Sequence, residues 1–298
     1  MTGGRALVVG GAGAVGTLFA ERLLGSGSEV TVVDTTGAND ATDTAGGPCG
    51  VRRTVGDVTA LDDALAAELA AADLVVLAVP EPVALAALPV IAPHLRTDAV
   101  LVDTLSVKQP FTLAVREHAP GIQAVGLNPM FAPSLGFEGR PVAAVVVNPG
   151  PGADKVLRLV GSWGANVVRV DAVEHDRIAG ATQALTHAAV LGFGLALREL
   201  GPDVAQLLPL APPPATTLLA LLARIASGTP EVYWDVQHAN PEAAAARKAL
   251  ANGVHRVAEI VERGDPAGFE AVLDELRGHL GPDLAPLGEA CARMFAKT

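Results

Sequence analysis

Ala6-Leu7-Val8-Val9-Gly10-Gly11-Ala12-Gly13-Ala14-Val15-Gly16 is the stretch on which the reading of this 298-residue chain turns. Four apolar residues of strand character run straight into a glycine-rich turn, and the residues after it read as a helix through Leu24. The glycines fall as G-x-G-x-x-G at Gly11, Gly13 and Gly16. In that spacing the first permits a tight turn and the second lets backbone approach a pyrophosphate. The third allows close helix–strand packing, with the helix N-terminus facing the phosphates. By itself the motif is weak, and its context strengthens it. A second apolar run, Val30-Thr31-Val32-Val33, ends in Asp34, 18 residues after Gly16. An acid there binds ribose hydroxyls and repels a 2′-phosphate. The segment reads as a dinucleotide site that prefers NAD to NADP.

Working outward, short apolar runs recur at 6–10, 30–34, 74–80, 100–104, 123–127, 143–147 and 167–170, with Ala-rich helical stretches between them. The runs are continuous rather than alternating, as in parallel strands covered on both faces. This predicts an α/β, doubly wound (Rossmann-type) domain over 1–171. After Asp171 the strand signal stops. Residues 174–200 hold no interior proline and are apolar on nearly every face from 184 to 197, so that helix must be buried in a bundle or against a second copy. Pro212-Pro213-Pro214 breaks the next segment, and helical patterns resume at 216–227, 241–264 and 266–280. An all-α domain over 172–298 follows, and its apolar faces predict a homodimer. Aromatic residues are 3% of the chain, so core volume is expected from Leu, Val and Ala.

Composition narrows the classes of function. Lys and Arg total 21 against 32 Asp and Glu, a formal net charge of −11. That balance disfavours nucleic acid and anionic membrane as partners. No uninterrupted apolar run reaches the roughly 18 residues of a membrane-spanning helix. Met1-Thr2-Gly3-Gly4-Arg5 enters a strand-like run at once, leaving no room for a signal peptide, and a cytoplasmic location is expected. Cys49 and Cys291 lack metal-ligand spacing, so neither a disulfide framework nor a metal site is indicated.

In an open parallel sheet, ligands gather beyond the carboxyl ends of the strands. Val79-Pro80, Thr104-Leu105-Ser106-Val107-Lys108 and Asn128-Pro129-Met130 all fall at such ends. Glu174-His175-Asp176 opens the long helix, and Gln183 and His187 lie further along it. Each has an ordinary reading: Ser106 as a helix cap, Asn128-Pro129 as a turn, His187 as a satisfied core histidine. Their convergence on one rim points to a site.

The series resembles the prephenate dehydrogenases along nearly the whole chain. The likeness is carried by the glycine-rich segment through Phe19, Ala78-Val79-Pro80, Leu101-Val102-Asp103-Thr104-Leu105-Ser106-Val107-Lys108 and Gly126-Leu127-Asn128-Pro129-Met130-Phe131-Ala132-Pro133. Val173-Glu174-His175-Asp176 and Gln183-Ala184-Leu185-Thr186-His187 complete it. The resemblance implies a nucleotide-binding domain, a helical dimerisation domain, and oxidative decarboxylation of a cyclohexadienyl dicarboxylate with NAD or NADP. It implies cofactor contacts from Gly11, Gly13, Ala14, Val15, Gly16, Asp34, Val79 and Pro80. Catalytic roles fall to Asn128, Ser106 and His187, and substrate contacts to Lys108, Met130, Gln183 and Arg247.

Two departures bear on the substrate. The family's motif is His-Pro-Met, its His the general base on the substrate's 4-hydroxyl, whereas this chain has Asn128. An amide cannot take a proton near neutral pH, though it can give or accept a hydrogen bond. Glu242 aligns where many members carry a carboxylate-binding Arg, leaving Arg247, Lys248, Lys108, Arg140 and Arg177 as candidate cations. A 4-amino substituent needs orientation rather than a strong base, because its lone pair supports hydride departure. The resemblance extends to enzymes that convert 4-amino-4-deoxyprephenate to 4-aminophenylpyruvate for secondary metabolites such as antibiotics, and this is the expected substrate. Three other readings stay open. They are a prephenate or arogenate dehydrogenase with another base such as His187, a different reductase on the same plan, and a silent NAD-binding sensor.

Overall fold

The computed structural model describes residues 4–35 and 50–296, so the expectations resting on residues 1–3 and on Cys49 fall outside it. The chain divides into two compact units, Met1–Ala179 and Gly180–Thr298. That division lies eight residues beyond the expected 171/172 boundary, because residues 172–179 are tied into the first unit by the buried His175 and Asp176.

The first unit is built on an eight-stranded sheet in the order β3-β2-β1-β4-β5-β6-β7-β8. The strands are β1 Arg5–Val9, β2 Glu29–Asp34, β3 Arg52–Val55, β4 Leu74–Leu77, β5 Val100–Asp103, β6 Gln123–Pro129, β7 Pro141–Asn148 and β8 Asn166–Arg169. The order runs outward from β1 to β3 and then restarts on the other side of β1 with β4. The glycine-rich turn thus sits at the switch point, where Val9 is flanked by Val33 and Leu77. All pairings are parallel except β6 with β7, which corrects the expectation of wholly parallel strands. Residues 130–140 hold only a 3-10 turn at Pro133–Leu135, and without a crossover element the chain must return antiparallel.

Five helices cover this sheet: α1 Ala14–Gly25, α2 Asp63–Ala71, α3 Glu81–Ile91, α4 Gln109–His118 and α5 Pro151–Ser162. Successive strand residues face opposite layers. Leu7 and Val9 pack in one core with Leu65, Leu88, Ile91 and Phe111 of α2, α3 and α4. Ala6 and Val8 pack in the other with Phe19, Leu23 and Val156 of α1 and α5. Leu, Val and Ala fill most of both cores. The scarce aromatics are nevertheless concentrated: Phe19, Phe137 and Trp163 meet at centroid separations of 5.5, 5.8 and 5.0 Å in the second of these cores.

A sixth helix, α6 Ala172–Ala179, still belongs to the first unit. It leads into a π turn at Gly180–Ala184 and then α7 Leu185–Leu200. The remaining helices of the second unit are α8 Val204–Leu207, α9 Pro213–Ala226, α10 Pro230–His238, α11 Ala243–Glu262, α12 Pro266–Leu280 and α13 Leu284–Phe295. Pro213 and Pro214 sit in the first turn of α9, where a missing N–H costs nothing. Gly194 lets α7 and α9 close up, since a Cβ there would lie 2.6 Å from Leu222 Cδ1. Only Val190 of α7 is buried within a single chain, so the expectation that this helix is fully covered is not met by one copy alone. The 29 residues Ala172–Leu200 are also long and apolar enough to cross a membrane by length and composition. Counting uninterrupted apolar residues misses this, because Gln183, Thr186 and His187 break the run while the Leu, Val, Phe and Ala residues around them keep its mean hydropathy high.

Candidate active site

The glycine-rich turn is held by its own backbone. Gly10 N donates to Val33 O at 2.8 Å, Gly13 N to Gly10 O at 3.1 Å, and Thr17 Oγ1 to Gly11 O at 3.0 Å. Side chains are excluded on its inner side: a Cβ on Gly11 would lie 2.1 Å from Val32 Cγ1, and one on Gly16 would lie 2.3 Å from Gly10 O. Gly10 has φ 78°, and a Cβ there would meet Ala78 O and Val79 Cγ1, so the Val79-Pro80 segment lies directly against the turn. On the outer side Ala12, Gly13 and Ala14 are exposed, and α1 begins at Ala14 with Gly13 as its N-cap and no side-chain cap from the described residues. Uncapped N–H groups at the positive end of a helix suit a pyrophosphate. Asp34 closes the arrangement, its Oδ2 accepting from Ala12 N at 3.1 Å and its Oδ1 from Thr35 N at 2.9 Å. These residues fit a dinucleotide whose adenosine ribose meets a carboxylate.

Beyond β5 and β6 lies a buried polar cluster. Lys108 is 1% exposed, and its Nζ donates to Asp103 Oδ1 at 2.5 Å and to Leu127 O at 3.0 Å. Gly126 makes room for the pair, because a Cβ there would lie 2.8 Å from Asp103 Oδ2. Burial pushes the Lys108 ammonium below its ordinary pKa, against the opposing pull of Asp103. Lys108 is therefore not the substrate-facing cation expected of it; it holds the ends of β5 and β6 together.

The backbone N–H groups that begin α4 hold a second carboxylate. Asp176 Oδ1 accepts from Lys108 N at 2.8 Å, and Oδ2 accepts from Gln109 N at 2.9 Å. Next to it, His175 Nδ1 lies 2.7 Å from Asp176 Oδ1, and His175 Nε2 lies 3.0 Å from Asn128 Nδ2. Burial by itself would raise the Asp176 carboxyl. The bonds from His175, Gln109 and Lys108 outweigh it and hold the group below the usual carboxylate range. Asn128, His175 and Asp176 form a continuous buried line at the carboxyl edge of the sheet. Ser106 lies partly buried on the loop between β5 and α4, and Met130 directly follows β6, its N–H donating to Pro141 O at 3.1 Å.

Gln183 and His187 fall in the second unit. The His187 ring meets Tyr233 edge-on at 5.1 Å. Gln183 Oε1 and His187 Nδ1 are buried with no hydrogen-bond partner among the described residues. Burial, reinforced by the positive charge of Arg224, pushes the His187 pKa down and keeps the ring neutral near pH 7. The expected cation Arg247 is engaged elsewhere: its Nη1 donates to Gln237 O at 2.7 Å and Gln237 Oε1 at 3.0 Å, while Gln237 Nε2 donates to Ala184 O in the π turn. Arg140 bonds to the Gly136 and Glu138 carbonyls, and Arg177 pairs with Glu174. Arg224 was not among the sequence candidates. Arginine on an amphipathic helix carries no signal beyond its type, and only folding brings its charge within electrostatic reach of His187.

A doubly wound sheet with an open glycine-rich turn, an acid closing β2 and a buried polar line at its carboxyl edge is the architecture of a dinucleotide-dependent dehydrogenase. The family profile for the prephenate dehydrogenase nucleotide-binding domain matches residues 20–143, and that for the prephenate dehydrogenase dimerization domain matches residues 171–275. The chain belongs to the prephenate dehydrogenase family, an oxidoreductase family. It is 57% identical over 292 residues to a 4-amino-4-deoxyprephenate dehydrogenase of Streptomyces pristinaespiralis, spanning 98% of this chain and 96% of that one. It is 31% identical over 218 residues to a probable arogenate/prephenate dehydrogenase of Methanocaldococcus jannaschii, covering 71% of this chain and 48% of that one. Among solved structures, the A. aeolicus prephenate dehydrogenase in complex with hydroxyphenyl propionate and NAD+ shares the fold with a TM-score of 0.69 at 19% identity, over 93% of this chain and 97% of that one.

Proposed function

We propose that this protein oxidatively decarboxylates 4-amino-4-deoxyprephenate to 4-aminophenylpyruvate, with NAD as the hydride acceptor, as a cytoplasmic homodimer. The observation that carries the reading is Asn128: a buried carboxamide stands where the family resemblance places a histidine base. The 57% identity to a relative bearing that activity supports it. Gly11, Gly13, Ala14, Val15 and Gly16 hold the pyrophosphate, Asp34 the ribose, and Val79 and Pro80 border the cofactor. Bound NAD supplies the site that takes the hydride from C4.

The amine lone pair fills in behind the departing hydride, giving an iminium-like carbon. The C1–carboxylate bond then breaks, its electron pair neutralises the iminium, and carbon dioxide and the aromatic amine leave. When the amine binds as its free base no proton has to be removed by the protein, so Asn128 has only to orient the nitrogen. A 4-hydroxyl, by contrast, must share its proton with a base as carbonyl character develops. Ser106 and Met130, near the carboxyl edge of the sheet, contact the substrate in this reading. Lys108 Nζ and Arg247 Nη1 are engaged internally.

Incubation with NAD and 4-amino-4-deoxyprephenate tests the proposal. NADH, carbon dioxide and 4-aminophenylpyruvate should appear in equal amounts. Reduction without carbon dioxide would favour another reductase chemistry, and NAD binding with no turnover would favour a sensor. NADP binding as tight as NAD would sink the cofactor assignment.

A further inference from the structure

We infer that His175 and Asp176 are positioning residues that fix which end of the Asn128 carboxamide meets the substrate, and that this orientation keeps the substrate amine's lone pair available. The inference rests on the function proposed above and deepens it.

The argument starts at the carboxylate. Asp176 is fully buried and takes hydrogen bonds from Lys108 N, Gln109 N and the His175 ring, which keeps it ionised. A ring nitrogen 2.7 Å from a carboxylate oxygen carries a hydrogen, so His175 Nδ1 is the donor. The Nε2 faces an amide nitrogen that can only donate, so it is the acceptor of the pair. It lies 3.0 Å from Asn128 Nδ2, the only donor the amide has. Turning the amide over would set Oδ1 against that lone pair and lose the bond. Asn128 is therefore locked with Nδ2 toward His175, and Oδ1 is the atom left for substrate.

The orientation matters because an amine has one lone pair. An acceptor oxygen binds its N–H and leaves the pair to drive hydride loss. An amide presented the other way would donate N–H to that pair and oppose the reaction. A hydroxyl has two lone pairs, so a reversed amide would hinder it less. The lock therefore favours the amine over the hydroxyl.

His175→Leu in the full-length enzyme, assayed with NAD and both 4-amino-4-deoxyprephenate and prephenate, tests this. The ratio of kcat/KM for amine over hydroxyl should fall by about tenfold, the worth of one hydrogen bond. His175→Gln, which can again offer an acceptor to Asn128, should restore most of the ratio. An unchanged ratio in His175→Leu would overturn the inference, whereas equal loss on both substrates would show a merely structural role and overturn it too. Should the leucine variant fail to fold, the 15N shifts of the unmodified protein labelled at histidine decide. A neutral ring protonated at Nδ1 for His175 is expected, and an Nε2–H tautomer or an imidazolium would contradict it. If the unmodified enzyme shows no preference for the amine, the proposed function fails, while the tautomer result still stands or falls independently.

Discussion

Asn128 concentrates the chemistry of this protein in one side chain. The support that orients its amide would orient an imidazole equally well. In Asn128→His one ring nitrogen would donate to His175 Nε2, leaving the other bare and pointing to the substrate. Prephenate turnover should then rise by roughly 10²–10⁴, the usual worth of a general base; steady-state kinetics on prephenate with NAD checks this, and no increase would mean that residue 128 does not face C4. The Lys108–Asp103 pair makes a stability prediction instead. Asp103→Asn leaves an ammonium buried without its counter-charge and should cost about 3–5 kcal/mol in denaturant unfolding. Residue identity showed Asn128 and Asp34 clearly in the sequence, because each stands at a fixed offset from a motif. Lys108 was misread, since lysine is a surface residue by type and its burial depends on Asp103, Leu127 and the missing side chain of Gly126. His175 and Asp176 were visible as a pair, but their link to Asn128 joins residues 47 apart in the chain.

At the scale of elements, the glycine-rich turn is the most constrained part of the fold. A methyl on Gly16 would sit 2.3 Å from Gly10 O and 2.7 Å from Gly11 Cα, both backbone atoms that cannot swing aside. Gly16→Ala should therefore loosen NAD binding at least tenfold, read by cofactor titration, while far-UV circular dichroism stays close to that of the parent. Unaltered affinity would show that the turn is more pliable than its packing implies. The seven strands with continuous apolar runs were all legible. β3 was not, because Arg52-Arg53-Thr54-Val55 is an edge strand with polar, mostly exposed side chains. Strand direction was also hidden at β7, since hydropathy records burial and not polarity of the chain. The π turn at Gly180–Ala184 left no mark in the sequence beyond Gly180. A Cβ there would lie 2.6 Å from Glu242 Cβ.

For the whole molecule, the second unit holds more apolar surface than one copy covers. Leu185, Ala249, Leu250, Gly253, Val254 and Val257 line an open apolar groove, and Val254 is 64% exposed. Together with the match to a dimerization domain, this makes the groove the surface that the proposed homodimer would bury. Val254→Asp should bury a charge there and shift sedimentation from dimer to monomer; a variant that remains dimeric at micromolar concentration would move the interface elsewhere. The two-part organisation was legible from the abrupt loss of strand signal after Asp171. The division at Ala179 was not, because it follows the buried side chains of α6 rather than any change in composition. Substrate choice is tested most directly by the ratio of kcat/KM for 4-amino-4-deoxyprephenate over prephenate in the unmodified enzyme with NAD. A preference for the amine of about a hundredfold or more is predicted from the absent base; equal turnover, or faster oxidation of prephenate, would contradict the account.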